Sequence, residues 1–534
     1  MSGLNGPRPP RTAYVAGMAA GNVLYITVDQ WRGDCLSALG HPVVQTPTLD
    51  RLAARGVLFA RHWANIAPCG PSRATLHTGM YAQNHRSVLN GTPLDDRFTN
   101  TAREAHRAGL EPVLFGYTDT SLDPRTVAAD DPRLSSYEEV LPGFDAVAFN
   151  PESAGSPGWL GWLAGKGVDL PGSAADLYGP IEGYPGAADH GPSWAPARFP
   201  AELSETAYLV DEFRSWLDRR DDDRPWLAHL SFVRPHPPYR NPEGYHDVYD
   251  ADQGDPFRGF ASRDDEMASH PLPGMAIGLP GVGCPTDERD RRQLRATYWG
   301  AMREVDDRLG ELLAWLEASG ALADTLVVLT SDHGDQMGDH WLVQKLGYWD
   351  ESYHVPLIVV DPRSTADATR GRVVQHVTEH VDVLPTLCEW MGVEVPLQCD
   401  GRPLQPFLHG TDPDSPTPWR TDAHWEWDFR DPATHLPEDL LGLTMEQCAM
   451  TVVRDEHFKY VHFAAPPSVI PPLLFDLVAD PGQTVDLAAD PAFAAVRAEY
   501  AERMLRWRVT HLDRTLTGQL CGPGGLSVRR DPRV

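Results

Sequence analysis

The chain has 534 residues, 46 Lys and Arg against 75 Asp and Glu for a formal net charge of −29 at pH 7, and 42% hydrophobic side chains. This length accommodates a large α/β domain with a smaller appendage, the apolar fraction excludes a chain that is disordered throughout, and the acidic balance argues against a nucleic-acid binder. A small anionic substrate stays open, because it feels only the local field.

In chain order, "PRPPRTAYVAGMAAG" sets basic residues before an apolar run, as an export signal would, but "NVLYITVD" (22–29) reads as a first buried strand. Cytoplasmic residence is the expectation and export the alternative. The seven cysteines are odd in number and scattered, which suggests neither a disulfide framework nor a zinc cluster, and no segment reads as a full membrane span. A helix follows at 46–56, with Thr46 as cap and Pro47 in its first turn. Further strands are predicted at 111–117, 225–233, 324–332 and 355–360. A helix at 301–320 lines up Met302, Val305, Leu309, Leu312, Leu313 and Leu316 and ends at Gly320. Alternating strands and helices imply an α/β class. Stretches 120–220 and 240–290, rich in Gly, Pro, Asp and Ser, read as long loop excursions that wall a pocket. After about 410, "HFKYVHF" (457–463) and 473–491 suggest short strands and acid-rich turns. The expected organisation is a catalytic domain over 20–410, a C-terminal α+β subdomain over 411–510, and an arm over 511–534.

Two predicted strands end in acids: "YITVDQ" in Asp29 and Gln30, "VVLTSDH" in Asp332 and His333. Ligands of open α/β sheets sit beyond the carboxyl ends of strands, and two acids brought together there repel unless a cation lies between them. Mostly oxygen donors with one imidazole suit a hard or borderline divalent ion. The neighbouring Asp335, Asp339 and His340 are compatible with supporting contacts, loop surface or a helix cap. Cys69, in "APCGPSRATLHTG" (67–79), precedes a proline suited to a first helical turn, whose unpaired N–H groups face an anion. A thiol phosphatase places arginine six residues after its cysteine, where this chain has Thr75. Arg73, one turn on, is expected to point back over Cys69.

The run Cys69-Gly70-Pro71-Ser72-Arg73 matches the Cys-x-Pro-Ser-Arg motif of the sulfatases, a branch of the alkaline-phosphatase-like superfamily. The resemblance spans about 20–490, through "HVDVLPTLCEWMGV" and "LFDLVADPGQTVDL". Within it, "VDQWRGD", "CGPSRATLHTGMYAQNHRSVLN", "GYTDT" and "VRPHPPY" resemble the branch of phosphonate monoester hydrolases and related dimeric or tetrameric arylsulfatases. The resemblance implies a central mixed sheet flanked by helices, and conversion of Cys69 to formylglycine by a formylglycine-generating enzyme. It implies one divalent metal at Asp29, Gln30, Cys69, Asp332 and His333, Mn2+ being favoured over Ca2+ because an imidazole suits calcium poorly. Arg73 joins the catalytic cluster, while Lys345, one of only three lysines, and Asn90 resemble the residues that hold nonbridging substrate oxygens. His236 resembles the histidine that protonates the leaving alcohol. Tyr117 and Asp119 stand where arylsulfatases carry Lys and His, and Asp119, kept ionised by a nearby cation, is expected to be the base that breaks a covalent hemiacetal.

The function expected first is therefore hydrolysis of sulfate monoesters, arylsulfatase fashion, through a formylglycine nucleophile. The alternative is a phosphonate monoester hydrolase or phosphodiesterase with the same nucleophile, and the remote one an inactive sulfatase-like binding protein. The expected partner is a small anionic ester, with neither nucleic acid nor membrane, in a homodimer or homotetramer.

Overall fold

The computed structural model describes residues 21–528 apart from 171, 416 and 515. The basic and apolar N-terminal run and the last residues of the arm lie outside the described residues. From the N-terminus, the principal elements of the large sheet and its helices are Asn22–Val28 (β1), Pro47–Arg55 (α1), Val57–Phe59 (β2), Cys69–Thr78 (α2), Glu111–Gly116 (β3), Asp145–Phe149 (β4), Glu205–Asp218 (α3), Trp226–Phe232 (β5), Glu288–Ala318 (α4), Thr325–Ser331 (β6), Leu357–Val360 (β7) and Arg372–Val374 (β8). The strands form one sheet in the order β8-β2-β7-β6-β1-β5-β3-β4, in which β7 alone runs against the rest.

Strand β1 reads as a continuous apolar run because it lies mid-sheet with both faces covered. Leu24, Ile26 and Val28 pack into a core shared with α1, α3 and α4, while Val23 and Tyr25 face Leu76 of α2 and Leu387 of the helix Val383–Met391. The register matters for function. Val28 pairs with Phe232 on one side and Ser331 on the other, so Asp29 and Asp332 leave the sheet at one level.

Some expectations needed correction. Thr46 does not cap α1 with its side chain; Asp306 of α4 accepts from Thr48 N and Leu49 N, each at 2.9 Å. Helix α4 starts thirteen residues before 301, capped by Asp287, because its first turns are polar and gave no apolar stripe. The 120–220 excursion contains edge strand β4 and helix α3, and 240–290 contains the helices Arg263–Ser269 and Pro271–Gly278.

Beyond 410, Ala423–Asp428 (β9), Ala449–Arg454 (β10), Phe458–Phe463 (β11) and Leu473–Asp476 (β12) form an antiparallel sheet in chain order, with Ala494–Thr510 (α5) packed on it. This sheet is fastened to the segment that leads into α2. Trp63 stacks on Trp425 with ring centroids 5.4 Å apart, and Ile66 forms a bridge with Glu426. Cys35, Cys69, Cys284, Cys388, Cys448 and Cys521 are free thiols, and no described helix is long and apolar enough to cross a membrane.

Candidate active site

Four buried residues converge beyond the carboxyl ends of β1 and β6. One ligand atom each from Asp29, Cys69, Asp332 and His333 lies within 4.8 Å of all the others. Cys69 opens α2, and its Sγ is 3.1 Å from His333 Nε2. His333 Nδ1 lies 3.0 Å from the carbonyl of Gly334, which must accept, so Nδ1 carries the proton and the Nε2 lone pair is turned toward the cluster. Burial, reinforced by Lys345, holds this imidazole well below its usual pKa and hence neutral. Asp29 Oδ1 is buried without a hydrogen-bond partner. An orphaned carboxylate oxygen, a second carboxylate, a thiol and a neutral imidazole together make a donor set that fits one divalent cation.

The charge balance points the same way. Burial raises both acids, but His236, Arg73, His333 and Lys345 bring Asp29 far below the ordinary carboxylate range, while burial and the Asp29 charge push Asp332 above it. Arg73, 1% exposed, compensates both: Nη2 donates to Asp29 Oδ2 at 3.0 Å and Nε to Asp332 Oδ2 at 3.0 Å. It reaches across to the strand ends rather than back over Cys69. Its Nη1 donates to Ser231 Oγ at 2.7 Å, and the guanidinium lies 4.4 Å from the Tyr117 ring centroid. Tyr117 OH donates to Asp29 Oδ2 at 2.6 Å. Burial and Asp29 push the Cys69 thiol well above its usual pKa, so the pocket does not by itself favour a free thiolate.

Asp119 Oδ2 lies 3.5 Å from Arg73 Nε. Burial raises its pKa far above the carboxylate range; Arg73 opposes this, and Glu138, Asp29 and Asp332 reinforce it. The surrounding side chains thus favour the neutral carboxyl, and the expected role of Asp119 as base rests on a cation that keeps it ionised.

Gln30, in a left-handed conformation at φ 72°, links the cluster to a second network. Its Oε1 accepts from Lys345 Nζ at 2.7 Å, and its Nε2 donates to Tyr239 OH at 2.9 Å and to Asp335. Asp335 also accepts from Tyr239 OH and from the backbone of Met337 and Gln344. Burial would neutralise Lys345, but Cys69, Asp29 and Asp332 outweigh it and hold the pKa above its usual value. Asn90 Oδ1 accepts from Gly70 N, in the first turn of α2, at 2.9 Å. His236 follows β5, with Nδ1 2.9 Å from Pro237 O and 3.1 Å from Glu152 Oε2. Sequence reasoning assigned no role to Ser231, Tyr239 or Glu152. Tyr239 belongs to the quoted "VRPHPPY", but Glu152 lies in the Gly- and Pro-rich excursion and carries no local signal.

The family described as Sulfatase matches residues 21–393, and that described as N-sulphoglucosamine sulphohydrolase, C-terminal, matches 338–510. The chain belongs to the sulfatase family. Within this branch of the alkaline-phosphatase-like superfamily, it is 44% identical to the phosphonate monoester hydrolase of Agrobacterium radiobacter, with a TM-score of 0.89 over 96% of this chain and 100% of the other. Against the phosphonate monoester hydrolase of Silicibacter pomeroyi the identity is 38% and the TM-score 0.87, over 96% and 99%. The "Multifunctional alkaline phosphatase superfamily protein PehA" of Trinickia caryophylli is 42% identical over 96% of this chain and 100% of its own length.

These matches overturn the expectation of a sulfate monoesterase. Two phosphonate monoester hydrolases match 96% of the chain at 44% and 38% identity, and Cys69 itself stands in the cation-ligand set. The arylsulfatase assignment and its hemiacetal route are withdrawn. The motif shared by both branches reports the family and does not distinguish sulfur from phosphorus.

Proposed function

We propose that this sulfatase-family protein hydrolyses phosphonate monoesters and phosphodiesters. The observation that carries the proposal is the similarity, over nearly the entire chain, to two phosphonate monoester hydrolases. The site's charge supports it. Arg73 is committed to Asp29 and Asp332, so Lys345 is the ammonium left to meet a substrate oxygen, while Glu138 and Glu152 stand behind Asp119 and His236. A substrate with one negative charge is favoured there over a dianionic phosphate monoester.

Asp29, Cys69, Asp332 and His333 would hold one divalent cation, which when bound supplies Lewis-acid charge compensation at the reacting centre. Manganese is favoured over calcium because the set includes an imidazole. Gln30 is left out of the set because both polar atoms of its side chain are engaged; its part is to orient Lys345. Lys345 Nζ and the Asn90 NH2 bind nonbridging oxygens, and His236 gives a proton to the leaving oxygen. Tyr117 and Arg73 keep Asp29 ionised and in place.

Oxidation of Cys69 to formylglycine, by a dedicated generating enzyme, belongs to the same proposal. The Cys-Gly-Pro-Ser-Arg context and the disfavoured thiolate support it, and the mass of the peptide holding residue 69 tests it. Cytoplasmic residence is supported by the free thiols of Cys35, Cys69, Cys284, Cys388, Cys448 and Cys521, and assembly into dimers or tetramers by exposed Leu505, Val509, Leu512 and Leu516 along α5 and the following arm.

The functional test compares p-nitrophenyl phenylphosphonate with p-nitrophenyl phosphate on purified, metal-loaded protein. The phosphonate monoester is expected to have the higher kcat/KM, by about tenfold or more. Preference for the dianionic phosphate would contradict the proposal.

A further inference from the structure

We propose that Glu152, delivered by the excursion between β4 and α3, is the positioning residue that fixes His236 as the donor to the leaving-group oxygen. The inference rests on the phosphonate and phosphodiester function proposed above. It starts from how His236 is held. The backbone around it is clamped by buried Arg234, which donates to the carbonyls of His236, Pro238 and Arg240 and to Asn241 Oδ1. This clamp fixes the main chain and leaves the imidazole ring free to turn about its side-chain torsions.

The ring is fixed through Nδ1. Its two neighbours, Pro237 O at 2.9 Å and Glu152 Oε2 at 3.1 Å, both only accept, so Nδ1 must carry a proton. In the neutral ring Nε2 then holds the lone pair, and in the imidazolium Nε2–H is the donor. Only the protonated ring can deliver a proton from Nε2 to a departing alkoxide, and a carboxylate on Nδ1 both selects that orientation and stabilises that form.

The charges around the ring come from several elements. Asp29 after β1 and Glu152 attract the imidazolium; Lys345 opposes it, while the neighbouring His333 is neutral; Glu138 stands beside Glu152. Burial and Lys345 lower the pKa of His236, but Asp29 and Glu152 outweigh them, and it sits above the usual histidine value. Glu152 has a side chain 36% exposed, so its removal spares the core.

The test is a series of aryl phenylphosphonate monoesters whose leaving phenols rise in pKa, assayed with wild type, Glu152→Ala and Glu152→Gln. For Glu152→Ala the loss in kcat/KM is expected to grow along the series, from about threefold on the p-nitrophenyl ester to about thirtyfold on the unsubstituted phenyl ester. Glu152→Gln keeps an acceptor for Nδ1–H, so it restores most of the activity toward poor leaving groups. Both variants lack the anion, so the basic limb of their kcat/KM profile moves to lower pH. Equal losses across the series, or an unmoved basic limb, would overturn the role of Glu152 while leaving the function standing. A wild type inert toward every phosphonate monoester and phosphodiester would overturn both, so the two failures are distinguishable.

Discussion

Lys345 shows how much of the site a residue-level reading can reach. It was conspicuous as one of three lysines, and the structure places its ammonium 2.7 Å from Gln30 Oε1, beside the acids after β1 and β6. Replacing it with Met removes a donor aimed at the charge that develops on the substrate, so kcat is expected to fall about 100- to 1,000-fold, measured by steady-state kinetics with metal content unchanged. Asp29→Asn acts on the other function. It removes an anionic ligand, and elemental analysis after gel filtration is expected to find the bound metal lost, with stoichiometric retention contradicting the ligand assignment. The ligand residues were legible because acids at strand ends carry a local pattern. Asp119 was harder to read, because its charge state depends on Arg73, Glu138, Asp29 and Asp332, which meet it only in the fold. Ser231 and Tyr239 also act through partners distant in sequence, Arg73 and Asp335.

At the scale of elements, the buried strands could be read from continuous apolar runs, and the helices only where an apolar stripe marked them. The N-terminal half of α4 lacks that stripe, and the cap of α1 comes from α4, 258 positions away in sequence. That cap makes stability depend on pH. Burial is the largest influence on Asp306 and pushes its pKa up to about 6, against the donated backbone N–H groups of Thr48 and Leu49. The native state binds this proton more tightly than the unfolded chain does, at its usual 3.8. The resulting stabilisation is fully present below about pH 4 and is lost as pH rises through about 6, an effect on the order of 3 kcal/mol. Asp306→Asn removes the titration, so its melting temperature relative to wild type is expected to rise between pH 4 and 7; a constant difference would contradict the linkage. Gly116, at the end of β3, has φ 104°, and an added Cβ would meet Ser231 O at 2.1 Å. Gly116→Ala is expected to destabilise by about 2–4 kcal/mol in denaturant unfolding and to displace Ser231, a partner of Arg73.

For the whole molecule, the alternation of apolar strands with amphipathic helices indicated an α/β fold, and the Cys-Gly-Pro-Ser-Arg run a sulfatase-like site. The branch was harder to read, because the nucleophile position, Arg73, Lys345 and the strand-end acids serve sulfate and phosphonate esters alike. The excursion expected to wall a pocket does bring Glu138 and Glu152 toward Asp119 and His236, but neither residue carries a local signal in the sequence. The most direct measurement is kcat/KM for p-nitrophenyl phenylphosphonate, bis-p-nitrophenyl phosphate and p-nitrophenyl sulfate on one metal-loaded preparation, with Cys69→Ala as the control for contaminating activity. The account predicts that the phosphonate monoester or the phosphodiester exceeds the sulfate and that all three activities vanish in the control. A sulfate ester turned over with the highest kcat/KM would contradict it.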